Sequence, residues 1–298
     1  MNKKKLIAYI CIFLVILIVG ISSFVYIGVK MNEGKIDITE YSIINEKIPT
    51  EFNDFKIVQL SDFHSKGYRG TTDNIIEEIK NINPDIVVMT GDMISWDIKN
   101  IEELEKLIKE LAIIFPVYYI NGNHEQLAEI LNTEKYERFI NEIRQLGVIT
   151  INDSFIQVTK GIESINLYEI DIPLDEAKGI YIDESKINEN YVENTLGIID
   201  LTKFNILLAH NPLCIDEYSE WGADLVLSGH MHGGIVRIPF INKGIMSPEK
   251  RIFPKYDAGE FEVGNTIMII NRGIGASSFE LRVFNNPEIT VIKLKHKQ

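Results

Sequence analysis

Five short apolar runs in this chain each end in residues that bind metals or protons. Phe55 to Leu60 leads into Ser61-Asp62-Phe63-His64, and Ile86 to Met89 into Thr90-Gly91-Asp92. Val117 to Ile120 leads into Asn121-Gly122-Asn123-His124-Glu125, Asn205 to Ala209 into His210, and Ala223 to Leu227 into Ser228-Gly229-His230-Met231-His232. Five of the six histidines therefore stand just past a strand-like segment. Between the first three runs lie stretches with helical spacing. Ile75, Ile76 and Ile79 fall within a helix expected from about Thr72 to Asn81, and Ile101, Leu104, Leu107, Ile108 and Leu111 within one from about Lys99 to Ala112. A further helical stretch reaches Leu146 and stops at Gly147. Strands alternating with helices at this pitch predict parallel βαβ units. In open sheets of that kind, ligands bind beyond the carboxyl ends of the strands, so all five motifs are expected to converge on one place.

A length of 298 residues allows one large α/β domain or at most two small ones. Hydrophobic and charged contents of 45% and 24% are those of a globular chain. The formal net charge of -13 argues against a nucleic-acid polymer as partner, because such binding needs a basic face to release counterions. A small phosphoester remains compatible, since metal ions can reverse the local field inside an acidic protein. The two cysteines, Cys11 in an apolar run and Cys214 after His210-Asn211-Pro212-Leu213, form no disulfide framework. A metal site must then use His, Asp and Asn.

The N-terminus carries three consecutive lysines, Lys3 to Lys5, after which Leu6 to Val29 contains no charge. At about 1.5 Å per residue a helix of that length spans a hydrocarbon core of about 30 Å. Residues 1–5 are read as a cytoplasmic basic segment, 6–29 as a transmembrane anchor and 30–53 as linker and first strands, with the main domain over 54–298. The lysines place the domain outside the cytoplasm, at the cell membrane on a single span. The alternative is a signal segment cleaved near Gly20-Ile21-Ser22, releasing a secreted protein.

Further along, Lys35 to Glu40 alternates like an edge strand, and Tyr41 to Glu51 continues as a second strand or loop. Phe155 to Val158 and Ile165 to Tyr168 suggest a hairpin around Lys160-Gly161, Glu184 to Ile199 can include a helix, and Thr266 to Ile270 and Ile289 to Leu294 read as strands. The Gly-, Pro- and Lys-containing stretch from Gly233 to Gly264 is read without strands.

Asp62 and His64, like His230 and His232, are spaced i, i+2, which in extended chain turns both side chains to one side. Gly91, Gly122 and Gly229 precede candidate ligands, where tight turns need backbone freedom. Four histidines, two aspartates and Asn123 exceed the needs of one tetrahedral zinc with an open position. Two divalent ions about 3.5–4 Å apart, bridged by a carboxylate, would use them all. Nitrogen and oxygen donors without thiolate suit Mn, Fe or Zn, and do not choose among them.

The set Asp62-x-His64, Gly91-Asp92, Gly122-Asn123-His124-Glu125, His210 and Gly229-His230-x-His232 resembles, in the same order, the motifs of the calcineurin-like metallophosphoesterase superfamily, over about residues 54 to 295. Arg237-Ile238-Pro239-Phe240, Phe253-Pro254-Lys255-Tyr256-Asp257-Ala258-Gly259, Arg272-Gly273-Ile274-Gly275 and Asn286-Pro287-Glu288-Ile289 further resemble its membrane-associated bacterial YkuE/YaeI-like branch. The resemblance implies a four-layer α/β/β/α sandwich preceded by one transmembrane helix. It implies a first metal on Asp62, His64, Asp92 and His232, and a second on Asp92, Asn123, His210 and His230, with Asp92 bridging and catalytic. A metal-bridging hydroxide would attack phosphorus, and His124 would protonate the leaving oxygen or stabilise the transition state. Protein phosphatases of the superfamily carry Gly-Asp-x-x-Asp-Arg-Gly. Here Gly91-Asp92-Met93-Ile94-Ser95-Trp96-Asp97 lacks that arginine, which argues for a phosphodiester or small phosphoester, lipid- or nucleotide-linked, over a phosphoprotein.

The alternatives are a metal-stabilised module that binds a phosphate ligand without turnover, and a phosphomonoesterase. No protein partner is inferred. Among Arg69, Arg237, Lys255, Arg272 and Arg282, Arg237 ranks first as a substrate-binding cation. Trp96 and Tyr68 either line the entrance or pack, Glu125 begins a helix without a catalytic role, and His296 is expected in solvent.

Overall fold

The computed structural model describes residues 3–32, 34–68, 70–175, 178–188, 190–275 and 282–297. In chain order the elements are α1 (Lys3–Met31), β1 (Asp37–Asn45), β2 (Phe55–Leu60), α2 (Thr72–Ile82), β3 (Ile86–Thr90), α3 (Glu102–Ala112), β4 (Val117–Ile120), α4 (Asn123–Leu131), α5 (Thr133–Gln145), β5 (Ile149–Thr150), β6 (Ser154–Lys160) and β7 (Glu163–Glu169). They continue with β8 (Leu174–Asp175), β9 (Ile180–Tyr181), α6 (Tyr191–Leu196), β10 (Asn205–Leu208), α7 (Ile215–Trp221), β11 (Leu225–Ser228), β12 (Arg237–Ile238), β13 (Lys243–Gly244), β14 (Gly259–Val263), β15 (Thr266–Ile270) and β16 (Glu288–His296).

Two six-stranded sheets carry the fold, one in the order β1-β16-β2-β3-β4-β5 and the other β14-β15-β11-β10-β7-β6. Three apolar layers hold them. Ile75, Ile79, Leu104, Leu107, Leu111, Phe139 and Ile143 pack the helices α2, α3 and α5 on one face of the first sheet. Ile57, Val88, Ile120, Ile206, Leu227 and Ile292 join the two sheets face to face. Val192, Ile215, Tyr218, Leu207 and Val226 pack α6 and α7 on the outer face of the second. The result is the α/β/β/α sandwich expected, with strands buried on both faces, which explains why they read as continuous apolar runs.

The βαβ units are parallel from β2 through β5 and from β7 through β10, β11 and β15. The sheets are nonetheless mixed. β16 runs antiparallel to β2 while pairing in parallel with β1, and β6 and β14 are antiparallel edges. β1 is one strand through Asn45, stitched to the last strand of the chain from Asp37–Glu288 to Asn45–His296. The stretch read without strands holds the short antiparallel pair β12–β13 and the edge strand β14, whose sequence Gly-Glu-Phe-Glu-Val alternates in polarity, as a half-exposed edge should.

Local chemistry accounts for the other differences. α3 starts at Glu102 rather than near Lys99 because Ile98 and Asn100 take left-handed backbone conformations, and its first turn then carries Glu102, Glu103 and Glu105 against the helix dipole. The helical stretch after β4 breaks at Asn132, whose N–H closes α4 on Ala128 and whose carbonyl accepts from Lys135 and Tyr136 in α5. His296 is not free in solvent: its Nδ1 lies 2.6 Å from the Ile48 carbonyl and its N–H donates to Asn53.

α1 is long and apolar enough to cross a membrane, and none of its apolar window is buried against the protein. Its last turns touch the folded domain. Phe24 packs on Phe284 at 4.8 Å between ring centroids, and Asn32 donates to the Arg282 carbonyl at 2.9 Å.

Ile292, with 0% exposure, sits where the two sheets meet. Ile292→Ala is expected to lower stability by about 2–5 kcal/mol through lost transfer energy and a cavity. Ile198→Ala, at 89% exposure, should change it by less than about 0.5 kcal/mol. Denaturant midpoints of the full chain in detergent compare the two.

Candidate metal centre

The site forms where the carboxyl ends of β2, β3 and β4 in one sheet meet those of β10 and β11 in the other. Behind it, Gln59 Nε2 donates both to Thr90 Oγ1 at 3.0 Å and to the Ser228 carbonyl at 2.9 Å, tying the sheets together. His210 crosses the same seam, with Nδ1 2.6 Å from the Thr90 carbonyl. That bond puts a proton on Nδ1 and turns Nε2 inward, 3.3 Å from Asp92 and 3.8 Å from Asp62.

Asp62, His64, Asp92, His230 and His232 all take left-handed backbone conformations, with φ between 48° and 69°. For residues with a Cβ this is uncommon and costs energy, so it persists only where the surroundings impose it. The i, i+2 pairs are thus set by turns rather than extended chain. The aspartates themselves hold those turns: Asp62 accepts from the His230 N–H at 3.1 Å, and Asp92 Oδ1 from the His124 N–H at 2.8 Å. Of the three glycines, only Gly91 has the positive φ expected (86°). Gly122 and Gly229 are required by contact instead, since a Cβ would lie 2.4 Å from Asp92 Oδ1 in one and 1.9 Å from Ser61 Oγ in the other.

The ligand-type atoms fall into two groups joined by a third. Asp62, His64 and His232 converge on one side, Asp92, His210 and His230 on the other, and His64, Asp92 and His124 lie between. His64 Nε2 and His232 Nε2 are 3.1 Å apart, and His232 Nε2 is 3.3 Å from Asp62. Burial, together with each ring's histidine neighbours, lowers His64 and His232 to about 3, although part of His64 still reaches the cavity. Both are neutral at pH 7 and offer lone pairs. Burial alone would lower His210 as well, but Asp92 and Asp62 raise it to about 10. Despite its burial, Asp92 is held well below the usual carboxylate range by His210, His124 and His64.

The donor set fits divalent cations on two further counts. Asn123 Oδ1 and His210 Nε2 are buried without a hydrogen-bond partner, an omission that costs about 1–3 kcal/mol for each group unless something else satisfies it. Metal binding displaces protons from such ligands, and the proton that raises His210 is one of them.

Three supporting residues carry no signal in a strand-end reading. Glu125, fully buried, accepts from the N–H groups of Asp92, Met93, Ile94 and Gly122 and from the Tyr119 hydroxyl, at 2.7–3.0 Å. Glu249 caps His230 Nε2; burial opposes its charge, yet His230 and the Ser247 hydroxyl lower its carboxyl to about 2. Gln59 is the third. A Glu in the first turn of α4 looks like any helix-capping residue, whereas a Gln inside an apolar strand is a signal that could have been used.

A cavity of about 390 Å³ opens over these groups. Its floor includes His64, Asp92, Asn123, His124, His230 and His232, its apolar walls include Trp96, Leu127, Ile180, Ile235 and Met246, and Lys178 and Lys250 also line it. Trp96 donates its N–H to His124 Nδ1 at 3.3 Å, while Tyr68 is buried and packs. Arg237, the cation expected to bind substrate, does not line this cavity. It is buried in the β12–β13 turn, bonded to the Gly233 and Asn242 carbonyls and to Asp257 at 3.1 Å, because a guanidinium satisfies several carbonyls at once. Arg272 pairs with Asp37 and Glu288, Arg282 donates to the Gly275 and Arg272 carbonyls, and Lys255 lies over the Tyr256 ring. Arg69 lies outside the described residues.

A family model described as calcineurin-like phosphoesterase matches residues 55–234. The chain is 30% identical over 264 residues to the uncharacterized metallophosphoesterase YkuE of Bacillus subtilis (strain 168), covering 87% of this chain and 86% of that protein. It is 24% identical over 245 residues to the phosphodiesterase YaeI of Escherichia coli (strain K12), covering 80% and 82%. A Danio rerio transmembrane protein with metallophosphoesterase domain is 24% identical over 274 residues, covering 87% of this chain and 57% of that one.

Glu125→Gln would set an amide N–H against the donors that now point at a carboxylate oxygen. It is expected to lower stability by about 2–4 kcal/mol and to reduce the divalent metal retained after gel filtration. Unchanged melting temperature and metal content would contradict the clamp.

Proposed function

The chain belongs to the calcineurin-like phosphoesterase family and is a phosphoester hydrolase of that metal-dependent family, and from that premise we propose that it is a membrane-anchored dinuclear enzyme cleaving a phosphodiester or small phosphoester, lipid- or nucleotide-linked. The observation that carries this reading is the pair of His/Asp groups sharing one floor with His124 beneath a single cavity.

Asp62, His64, Asp92 and His232 would hold one ion, and Asp92, Asn123, His210 and His230 the other. Two divalent cations supply Lewis acidity there, lowering the pKa of water and offsetting the phosphoryl charge. His124 is held by the Trp96 N–H on Nδ1, so its neutral form carries the proton on Nε2, the atom left to donate to a leaving oxygen. Its position in the first turn of α4 adds the partial positive charge of a helix N-terminus. Lys178 and Lys250 favour an anionic group in the cavity, and the apolar walls favour an ester with an apolar body over a bare phosphate. Gly91-Asp92-Met93-Ile94-Ser95-Trp96-Asp97 lacks the arginine that protein phosphatases of the superfamily carry, which supports a small phosphoester over a phosphoprotein.

The similarity to a relative named a phosphodiesterase supports the diester reading. The lysines before α1 and its uncharged course support a single span with the domain outside the cytoplasm. A binding module without turnover has no use for His124.

Full-length protein in detergent, loaded with Mn, is expected to hydrolyse an activated aryl phosphodiester. Asp92→Asn should abolish activity and lower the metal retained to one ion or fewer per chain. His124→Ala should lower kcat by about 10²–10⁴ with metal content preserved. Equal rates in wild type and both variants would sink the proposal.

A further inference from the structure

We infer that the segment Arg237–Lys255 is a bilayer-contacting face, with Phe240, Ile241, Ile252 and Phe253 seated in the headgroup region of an anionic lipid surface beside α1. The inference rests on the reading of α1 as a membrane span and adds to it a second, domain-borne contact. Phe240 is exposed to 106% and Ile241, Ile252 and Phe253 to 67%, 71% and 55%. Phe240 and Phe253 also hold left-handed backbone conformations, at φ 73° and 51°, which are uncommon for residues with a Cβ. Single apolar side chains on a surface are ordinary, whereas several on one short segment mark an interaction face.

Continuity with α1 identifies the occupant. Val236 bridges Val283, and the Arg237 N–H donates to the Val283 carbonyl at 3.0 Å. Val283 and Phe284 in turn press on Gly28 so closely that a Cβ there would lie 2.4 Å from Val283 Cγ1. Phe24 packs against Phe284, and Asn32 is bonded to the Arg282 carbonyl. A helix of 29 residues is about 44 Å long against a hydrocarbon core of about 30 Å. Its last two turns, which carry Phe24 and Gly28, therefore stand near the outer edge of that core, and the domain is bonded to them directly. The hairpin tip lies only three to five residues beyond this junction, within about 17 Å at about 3.3 Å per residue.

Charge agrees with this placement. In a chain of net charge -13, residues 237–255 hold five Lys or Arg side chains and one carboxylate, Glu249; Arg237 and Lys243 pair with Asp257 and Arg251 with Glu184, which leaves Lys250 and Lys255 to face an anionic surface. Basic residues flanking exposed apolar ones suit an anionic lipid surface. Ile235, Met246 and Lys250, from this segment or adjoining it, also line the catalytic cavity, so an amphiphilic phosphoester can reach the cavity with its apolar chains left in the bilayer.

The test uses the full chain in phosphatidylcholine–phosphatidylglycerol vesicles containing nitroxide-labelled lipid. An environment-sensitive fluorophore is attached at Phe240→Cys, Phe253→Cys or Ile162→Cys in a Cys11→Ser background, and at native Cys11 in the unmodified chain; Cys214 is buried and stays unlabelled. Ile162, at 92% exposure, is the aqueous control. Lipid quenching at 240 and 253 is expected to exceed that at 162 by at least about threefold if both side chains reach the headgroup region. Quenching at Cys11 with none above control at 240 and 253 would overturn the inference alone. Absence of quenching at Cys11 would overturn the anchor and the inference together.

Discussion

The loop that carries Asp92 is held by one buried carboxylate. Glu125 draws in the N–H groups of Asp92, Met93 and Ile94 from one strand end and that of Gly122 from the next, with the Tyr119 hydroxyl as a fifth donor. Burial and the Asp92 charge push its pKa up, and the bonds from Ile94, Tyr119 and Gly122 oppose that rise. Charge-assisted bonds of this kind are the strong ones. Because they come from two consecutive strand ends, they fix Asp92 relative to Asn123 and His124 before any ligand enters.

The same principle operates between the sheets. Gln59 and His210 each bond across the seam to Thr90 or Ser228, and the His230 N–H reaches Asp62 from the opposite sheet. Asp62, Asp92 and His210 are thus each oriented by a backbone group from a different motif. Left-handed conformations at five of the seven ligands are what this mutual constraint imposes, and the buried strands on either side resist their relaxation. Glu249 extends the support to His230 from a segment that also borders the cavity.

Much of this was legible because chemistry and topology share a signal. A strand buried on both faces reads as an apolar run, and the residue just beyond it is where a site in such a fold must lie, so Asp62, His64, Asp92, Asn123, His124, His210, His230 and His232 stood out as a set. The supporting residues did not, because Glu125 resembles an ordinary helix cap and Glu249 lies in a segment without periodicity. Arg237 shows a related ambiguity: a guanidinium that binds phosphate and one that ties carbonyls in a tight turn look alike until its partners are known. The break at Asn132 and the strand β14 were local features whose polar pattern was present but weaker than the apolar signals around them. The depth of the junction between α1 and Val283–Phe284 depends on contacts 250 residues apart in sequence, which no local pattern carries.

The central claim is that two ligand groups sharing Asp92 are built as one dinuclear site. Counting the divalent ions bound per full-length chain, by elemental analysis after equilibration with Mn and removal of free metal, tests it directly. The account predicts about two ions per chain, falling to one or fewer in Asp92→Asn. A single ion in the wild type, unchanged by that substitution, would contradict it.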